Sequence, residues 1–269
     1  MASDLATVIS NTDGWMSSDP DKLNLPPLRR PSPIPALTPQ AELAIFARAL
    51  YREGYDDHRA GHITVRQPDD TFLTLPYQFG WDEVTPDQII RINNQGIVIE
   101  GDWDVTPAIA LHLEFHAART DSNVVIHQHP RFGTIWSALR RIPAAYDQIS
   151  AFMDTPEIVL YDDFAGDVTS ISISRDNVRA IGDKNYAILA NHGVLVSGAD
   201  VQQCFCRAMA LEWRCKQAWY VEAIGGGTPV PKEGQAVLLD MQRRRDDRPP
   251  MQWEWVVRRE LRADPGLLG

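Results

Sequence analysis

Between Leu37 and Gly54 the apolar positions Leu43, Phe46, Ala47 and Leu50 recur at three- and four-residue intervals, which places them on one face of a helix. Thr38 stands where an N-cap is needed and Pro39 at the first helical position, so the helix is predicted to open there and to stop at Gly54. The pattern then shortens. Ile63 to Val65 and Phe72 to Leu75 flank Gln67-Pro68-Asp69-Asp70, and Ile90-Arg91-Ile92 reaches Ile97-Val98-Ile99 through Asn93-Asn94-Gln95-Gly96; both segments predict hairpins. A helix is predicted from Thr106 to Arg119, again with a Thr-Pro start, followed by a strand on the run Val124-Val125-Ile126. Further on, the spacing predicts a helix over Arg131 to Leu139, a strand over Ile158 to Tyr161, and a strand pair, Tyr186 to Ala190 and Val194 to Val196, around Asn191-His192-Gly193. A long helix is expected from Val201 to Ala223, ended by Gly225-Gly226-Gly227.

This places one domain over residues 37–228. Before it, residues 1–36 lack periodicity and end in a proline-rich stretch from Leu25 to Pro35, which cannot form a helix and reads as an extended arm. After it, residues 229–269 read as a C-terminal tail, with Trp253 and Trp255 expected to dock on a subunit surface. No internal repeat is visible.

Composition narrows the class. The chain has 269 residues, 44% hydrophobic and 23% charged, enough for one full core. A net charge of −10 argues against non-specific nucleic-acid binding. No apolar run approaches the roughly 18 residues a membrane helix needs, and Met1-Ala2-Ser3-Asp4-Leu5 lacks the basic and apolar regions of an export signal. Cys204, Cys206 and Cys215 fall in one predicted helix and read as reduced thiols. A cytoplasmic location is expected.

The chemistry centres on His127-Gln-His129. Side chains alternate along a strand, so two histidines spaced by two project the same way and can close on one cation. With the distant His192 they would make a three-histidine site that leaves coordination positions free, which is the mark of a catalytic metal. His112 and His116 share a helix face, but Glu114 does not follow the first of them directly, so this is not a zinc-protease motif.

Three segments, Gly61-His62-Ile63-Thr64-Val65-Arg66, the run from Arg119 to His129, and Asn191-His192-Gly193-Val194-Leu195-Val196-Ser197-Gly198, together resemble the class II aldolase/adducin family over residues 38–225. The resemblance implies an α/β/α fold of three layers with a central, largely antiparallel sheet, a homotetramer, and one divalent metal ion per chain on His127, His129 and His192. Zinc is the first expectation, with manganese or iron as alternatives. His112 matches a histidine of the family pattern and, with Tyr146 as proton donor, is a candidate catalytic residue. His62 occupies the place of an asparagine that helps hold phosphate in sugar-phosphate members, and is a candidate substrate contact.

The departures from the family shape the expected function. The glutamate that acts as general base in aldolase members is replaced by Ala108, in Thr106-Pro107-Ala108. The phosphate-binding loop is replaced by Leu75-Pro76-Tyr77-Gln78-Phe79-Gly80, so Tyr77 is expected to touch an apolar or aromatic substrate instead of a phosphate. The expected function is a metal-dependent lyase, a decarboxylase or aldolase-like carbon–carbon cleaving enzyme, on a small non-phosphorylated aromatic or oxo acid. Two alternatives stand beside it: a non-haem iron oxygenase on the same fold, and an adducin-like scaffold without catalysis.

Overall fold

The computed structural model describes residues 34–58, 60–153, 157–164, 166, 169–246 and 251–269, so the proline-rich arm lies almost wholly outside the described residues. In chain order the elements are α1 (Pro39–Arg52), β1 (His62–Arg66), β2 (Phe72–Thr74), β3 (Ile90–Ile92), β4 (Val98–Glu100), α2 (Ala110–Ala118), β5 (Val124–Gln128), α3 (Arg131–Leu139), β6 (Ile158–Tyr161), α4 (Ile171–Ile181), β7 (Tyr186–Leu189), β8 (Gly193–Gly198), α5 (Val201–Ala223), α6 (Lys232–Asp246) and α7 (Met251–Ala263). The strands form one eight-stranded sheet in the order β4-β3-β2-β1-β5-β8-β7-β6. Among the described residues only the β6–β7 pair is parallel and the other six pairs are antiparallel, in line with the expected largely antiparallel sheet.

Alternation along the central strands sorts their side chains between two layers. Ile63, Val124, Ile126, Val194 and Val196 face one way, into the main core shared with α1, α5 and Trp136 of α3. Val125, Ala187, Leu189 and Leu195 face the other way and pack under Leu111 and Phe115 of α2 and Val178 and Ile181 of α4. The sheet is therefore sandwiched by helices, which gives the three-layer arrangement.

Three local outcomes differ from the expectations. The helix expected from Thr106 begins only at Ala110, because Thr106 closes a turn: its hydroxyl accepts from the Ala108 amide at 3.3 Å and its carbonyl from the Ile109 amide at 3.2 Å. A helix not expected, α4, covers Ile171–Ile181 and is capped by Ser170, whose hydroxyl accepts from the Ile173 amide. The segment read as a tail carries α6 and α7, and α7 lies on the same chain's core. Its Trp253 is 4% exposed and stands edge-on to Phe46 at 6.2 Å. Arg52 pairs with Glu260 at 2.8 Å and Arg48 with Asp264 at 2.9 Å, which fastens α7 to α1.

Candidate metal centre and adjoining pocket

β5 ends at Gln128, and the three histidines meet where it runs out beside the β7–β8 turn. That turn is built for close approach. Asn191 adopts φ 54°, a left-handed conformation that asparagine tolerates, and swings His192 back towards β5. At Gly193 a Cβ would stand 2.5 Å from both the Gln128 carbonyl oxygen and the His129 ring, so any larger residue would push β8 away from the site. One ring nitrogen from each of His127, His129 and His192 lies within 4.8 Å of the other two.

Hydrogen bonds orient two of these rings. His127 turns Nδ1 to the Val194 carbonyl at 3.0 Å, so Nδ1 carries the proton and Nε2 presents a lone pair 3.2 Å from His192 Nε2. His129 Nδ1 donates to Asp57 at 2.7 Å, and its Nε2 is buried with no hydrogen-bond partner. Burial works to raise the Asp57 carboxyl, but its hydrogen bonds with His129 and His58 outweigh this and hold it below the usual range. An orphaned buried lone pair beside two other imidazole nitrogens is what a divalent cation satisfies, and a carboxylate behind a ligating histidine is the usual outer partner. The donor set fits zinc, manganese or iron. Burial, with the neighbouring rings adding to it, holds His127 well below the ordinary histidine range and His192 at about 4, so both are neutral as ligation requires.

A second histidine cluster lies against the first. His62 and His127 are cross-strand partners with rings 5.0 Å apart. His62 Nδ1 lies 2.9 Å from His112 Nε2, His112 Nδ1 lies 2.8 Å from the Thr64 hydroxyl, and that hydroxyl lies 2.8 Å from His116 Nε2. The cluster forms because β1 turns its polar positions, His62 and Thr64, towards the α2 face that carries His112 and His116.

Two rings of the triad, His127 and His192, open on a cleft whose empty space, open solvent included, is about 510 Å³. His62, His127 and His192 form its polar floor, Leu111, Ile173, Leu189 and Phe164 its apolar walls, and Tyr161, Asp163, Ser174 and Asn177 its remaining polar lining. Ala108 also lines it, so the position at which the resemblance implies a glutamate presents a methyl group to the pocket. Burial, reinforced by Asp163 and Asp176, raises Tyr161, which keeps its phenolic proton.

Of the expected site residues, His127, His129, His192 and His62 come together. His112 is adjacent, fully buried, and bonded on both ring nitrogens, to His62 and to Thr64. Tyr146 is not brought to the site. Its loop is held on the opposite face of the sheet by the buried Arg214, which donates to the Pro143 carbonyl at 2.9 Å and the Met153 carbonyl at 2.7 Å, and Tyr146 packs on the main core. Tyr77 is also absent from the pocket lining: Leu75 and Trp81 anchor its loop in the main core, and Tyr77 is 39% exposed. The tyrosine in the pocket is Tyr161, whose place as the last residue of the short strand β6 gave little signal. Ser174 and Asn177 went unseen with their helix.

The chain belongs to the class II aldolase and adducin family: the model for "Class II Aldolase and Adducin N-terminal domain" matches residues 41–219. Within the family it is 29% identical over 196 residues to a 4-hydroxy-3-prenylphenylpyruvate oxygenase/4-hydroxy-3-prenylbenzoate synthase of Streptomyces roseochromogenus subsp. oscitans, spanning 71% of this chain and 70% of that one. It is also 29% identical over 196 residues to the decarboxylase NovR of Streptomyces niveus, over 71% of this chain and 72% of the relative. Among solved structures, an aldolase II superfamily protein from Pseudomonas syringae superposes with a TM-score of 0.75 at 24% identity, over 87% of this chain and 98% of that one, and shares the fold.

Proposed function

We propose that this chain is a metal-dependent carbon–carbon lyase, most simply a decarboxylase, acting on a small non-phosphorylated carboxylic acid with an aromatic or apolar body. The observation that carries this reading is the position of the triad: two of its three imidazoles, His127 and His192, open on an apolar-walled pocket that Ala108, read as standing in place of the family's acid/base carboxylate, also lines. A divalent ion on His127, His129 and His192 would act as a Lewis acid that draws off the negative charge developing as the bond to the carboxylate breaks.

The protein's own groups do the rest. Leu111, Ile173 and Leu189 offer an apolar wall for the body of the acid. Asn177 and Ser174 offer hydrogen bonds that orient it. As carbon dioxide leaves with the bond's former partner holding the electron pair, Tyr161 gives its phenolic proton to that carbon, and water then restores the phenol. No strong base is needed, which agrees with alanine at position 108.

A second reading, an iron-dependent oxygenase, is favoured by one observation: a 29% identical relative is named an oxygenase. A non-catalytic scaffold has no use for an orphaned Nε2 on His129 beside two further imidazoles. A homotetramer is part of the proposal, because Trp213, Trp219 and Tyr220 expose an aromatic face along α5 that a second copy would cover. The test is to load the metal-free protein with zinc, manganese or ferrous iron under argon and supply aromatic oxo and hydroxy acids, following carbon dioxide and oxygen together. Carbon dioxide released without oxygen uptake supports the lyase. Strict dependence on iron with matching oxygen uptake transfers the assignment to the oxygenase, and no turnover with any metal overturns both.

A further inference from the structure

The histidine cluster beside the triad has a defined proton order. It ends at His116 Nδ1, 3.2 Å from the Ser122 carbonyl, which can only accept. All three rings are at most 3% exposed, and the bonds among them need no second proton on any ring, so each is neutral and carries one proton. His116 therefore holds its proton on Nδ1 and accepts at Nε2. The Thr64 hydroxyl has one proton and gives it to His116 Nε2 at 2.8 Å, so it must accept from His112 Nδ1 at 2.8 Å. His112 Nε2 is then bare, and His62 donates to it from Nδ1 at 2.9 Å. Each link leaves one choice for the next, and the last choice leaves His62 Nε2 without a proton.

That nitrogen has no hydrogen-bond partner among the described residues, and His62 lines the pocket. Yet His62 falls outside the set of rings whose nitrogens converge within 4.8 Å, so it is placed to meet a ligand and not to share the cation. We propose that His62 is a specificity-determining residue: its Nε2 lone pair, fixed by the His116–Thr64–His112 chain, accepts a hydrogen bond from a hydroxyl or enol on the carbon beside the substrate's carboxylate. The inference rests on the reading of the site as a pocket for a small carboxylic acid. It deepens that reading, because a bare acceptor repels the lone pairs of phosphate or oxo oxygens and favours an O–H donor.

The tautomer is read without any ligand. Long-range proton–nitrogen correlation NMR on zinc-loaded protein labelled with nitrogen-15 histidine reports which nitrogen of each ring is protonated, with His62 assigned by the signal lost in His62→Gln. The expected result is a proton on His62 Nδ1; a proton on Nε2 overturns the proposal. Thr64→Val, which stays clear of the pocket, removes the acceptor for His112 Nδ1 and should shift the protons of His112 and His62 to Nε2, whereas Thr64→Ser should keep the native order.

Calorimetric titration of zinc-loaded protein with mandelate and benzoylformate, which differ by a hydroxyl against an oxo group, supplies the ligand test. Thr64→Val should lower the mandelate-to-benzoylformate affinity ratio about tenfold, with Thr64→Ser close to wild type. An unchanged ratio with inverted tautomers overturns the role of His62 while leaving the carboxylic-acid pocket standing. Binding of neither acid by wild type overturns the pocket reading and the ligand named here, and the NMR result still decides the proton order.

Discussion

Removing the Asp57 carboxylate should weaken metal binding without touching a ligand. The Asp57→Ala variant takes away the acceptor 2.7 Å from His129 Nδ1, so the ring loses both its orientation and its preference for the tautomer that leaves Nε2 bare. A hydrogen bond to a charged group contributes roughly 1.5 to 3 kcal/mol, which corresponds to about ten- to a hundredfold in affinity. The Asp57 side chain is 38% exposed, so water can replace part of the lost acceptor, and the low end of that range, about tenfold, is expected. Asp57→Asn keeps a neutral carbonyl acceptor and should lie between wild type and alanine. Competition against a chromophoric chelator at neutral pH measures all three dissociation constants for zinc. An Asp57→Ala constant within twofold of wild type would refute the argument, because it would mean that His129 needs no outer partner to ligate.

The remaining outcomes follow from the same geometry. Alanine at His127, His129 or His192 should strip most of the metal, read by elemental analysis of purified protein, whereas alanine at His112 should leave the metal in place. Stability should fall in acid: His62 and His116 titrate at about 3 in the folded chain and near 6.5 unfolded, so between those values the unfolded chain binds more protons. Full stability is therefore present above about pH 6.5 and declines below it at about 1.4 kcal/mol per pH unit for each ring, a decline that urea titrations at pH 7 and pH 5 would detect. Trp253→Ala should cost about 3 to 5 kcal/mol, seen as a lowered urea midpoint, since it empties the contact of α7 with Phe46 and Phe205. Ketose phosphates should not be cleaved at a measurable rate by metal-loaded protein, as position 108 offers no base, and vigorous turnover would contradict the assignment of Ala108 to the site.

The parts of this fold that could be read from sequence are those where the local signals agree. The helix over Pro39–Arg52 has a Thr-Pro start, a clean apolar stripe and a glycine stop, and all three agree. His127 and His129 follow an apolar strand, so period two places their rings on one side. Where signals conflict, reading fails. Ser170-Ile171-Ser172-Ile173-Ser174 alternates with period two and is rich in weak helix formers, yet it caps and opens α4, because Val178 and Ile181 supply a helical stripe buried against the sheet. The Thr-Pro pair at position 106 imitates the start of α1, but a turn intervenes before Ala110. For α7 the signal is in the sequence: Trp253, Val256, Val257 and Leu261 stand at helical spacing.

The site divides along the same line. Ligands supplied by a motif on one strand are visible in sequence, while groups assembled across strand pairing and helix docking are not. His62, His112, Thr64 and His116 come from two segments about 50 residues apart, and nothing in either one states that β1 will turn His62 and Thr64 onto the α2 face. The same pairing register that sets His62 opposite His127 places a fourth imidazole beside the triad. A slip of one residue would exchange His62 and Thr64 for Ile63, put an aliphatic side chain against the site and send two polar groups into the main core. Burying His62 unpaired there would cost about 1 to 3 kcal/mol, and the loss of Ile63 from its core position would add to that. The register is therefore held by the apolar face of β1, and the arrangement of the polar face follows from it.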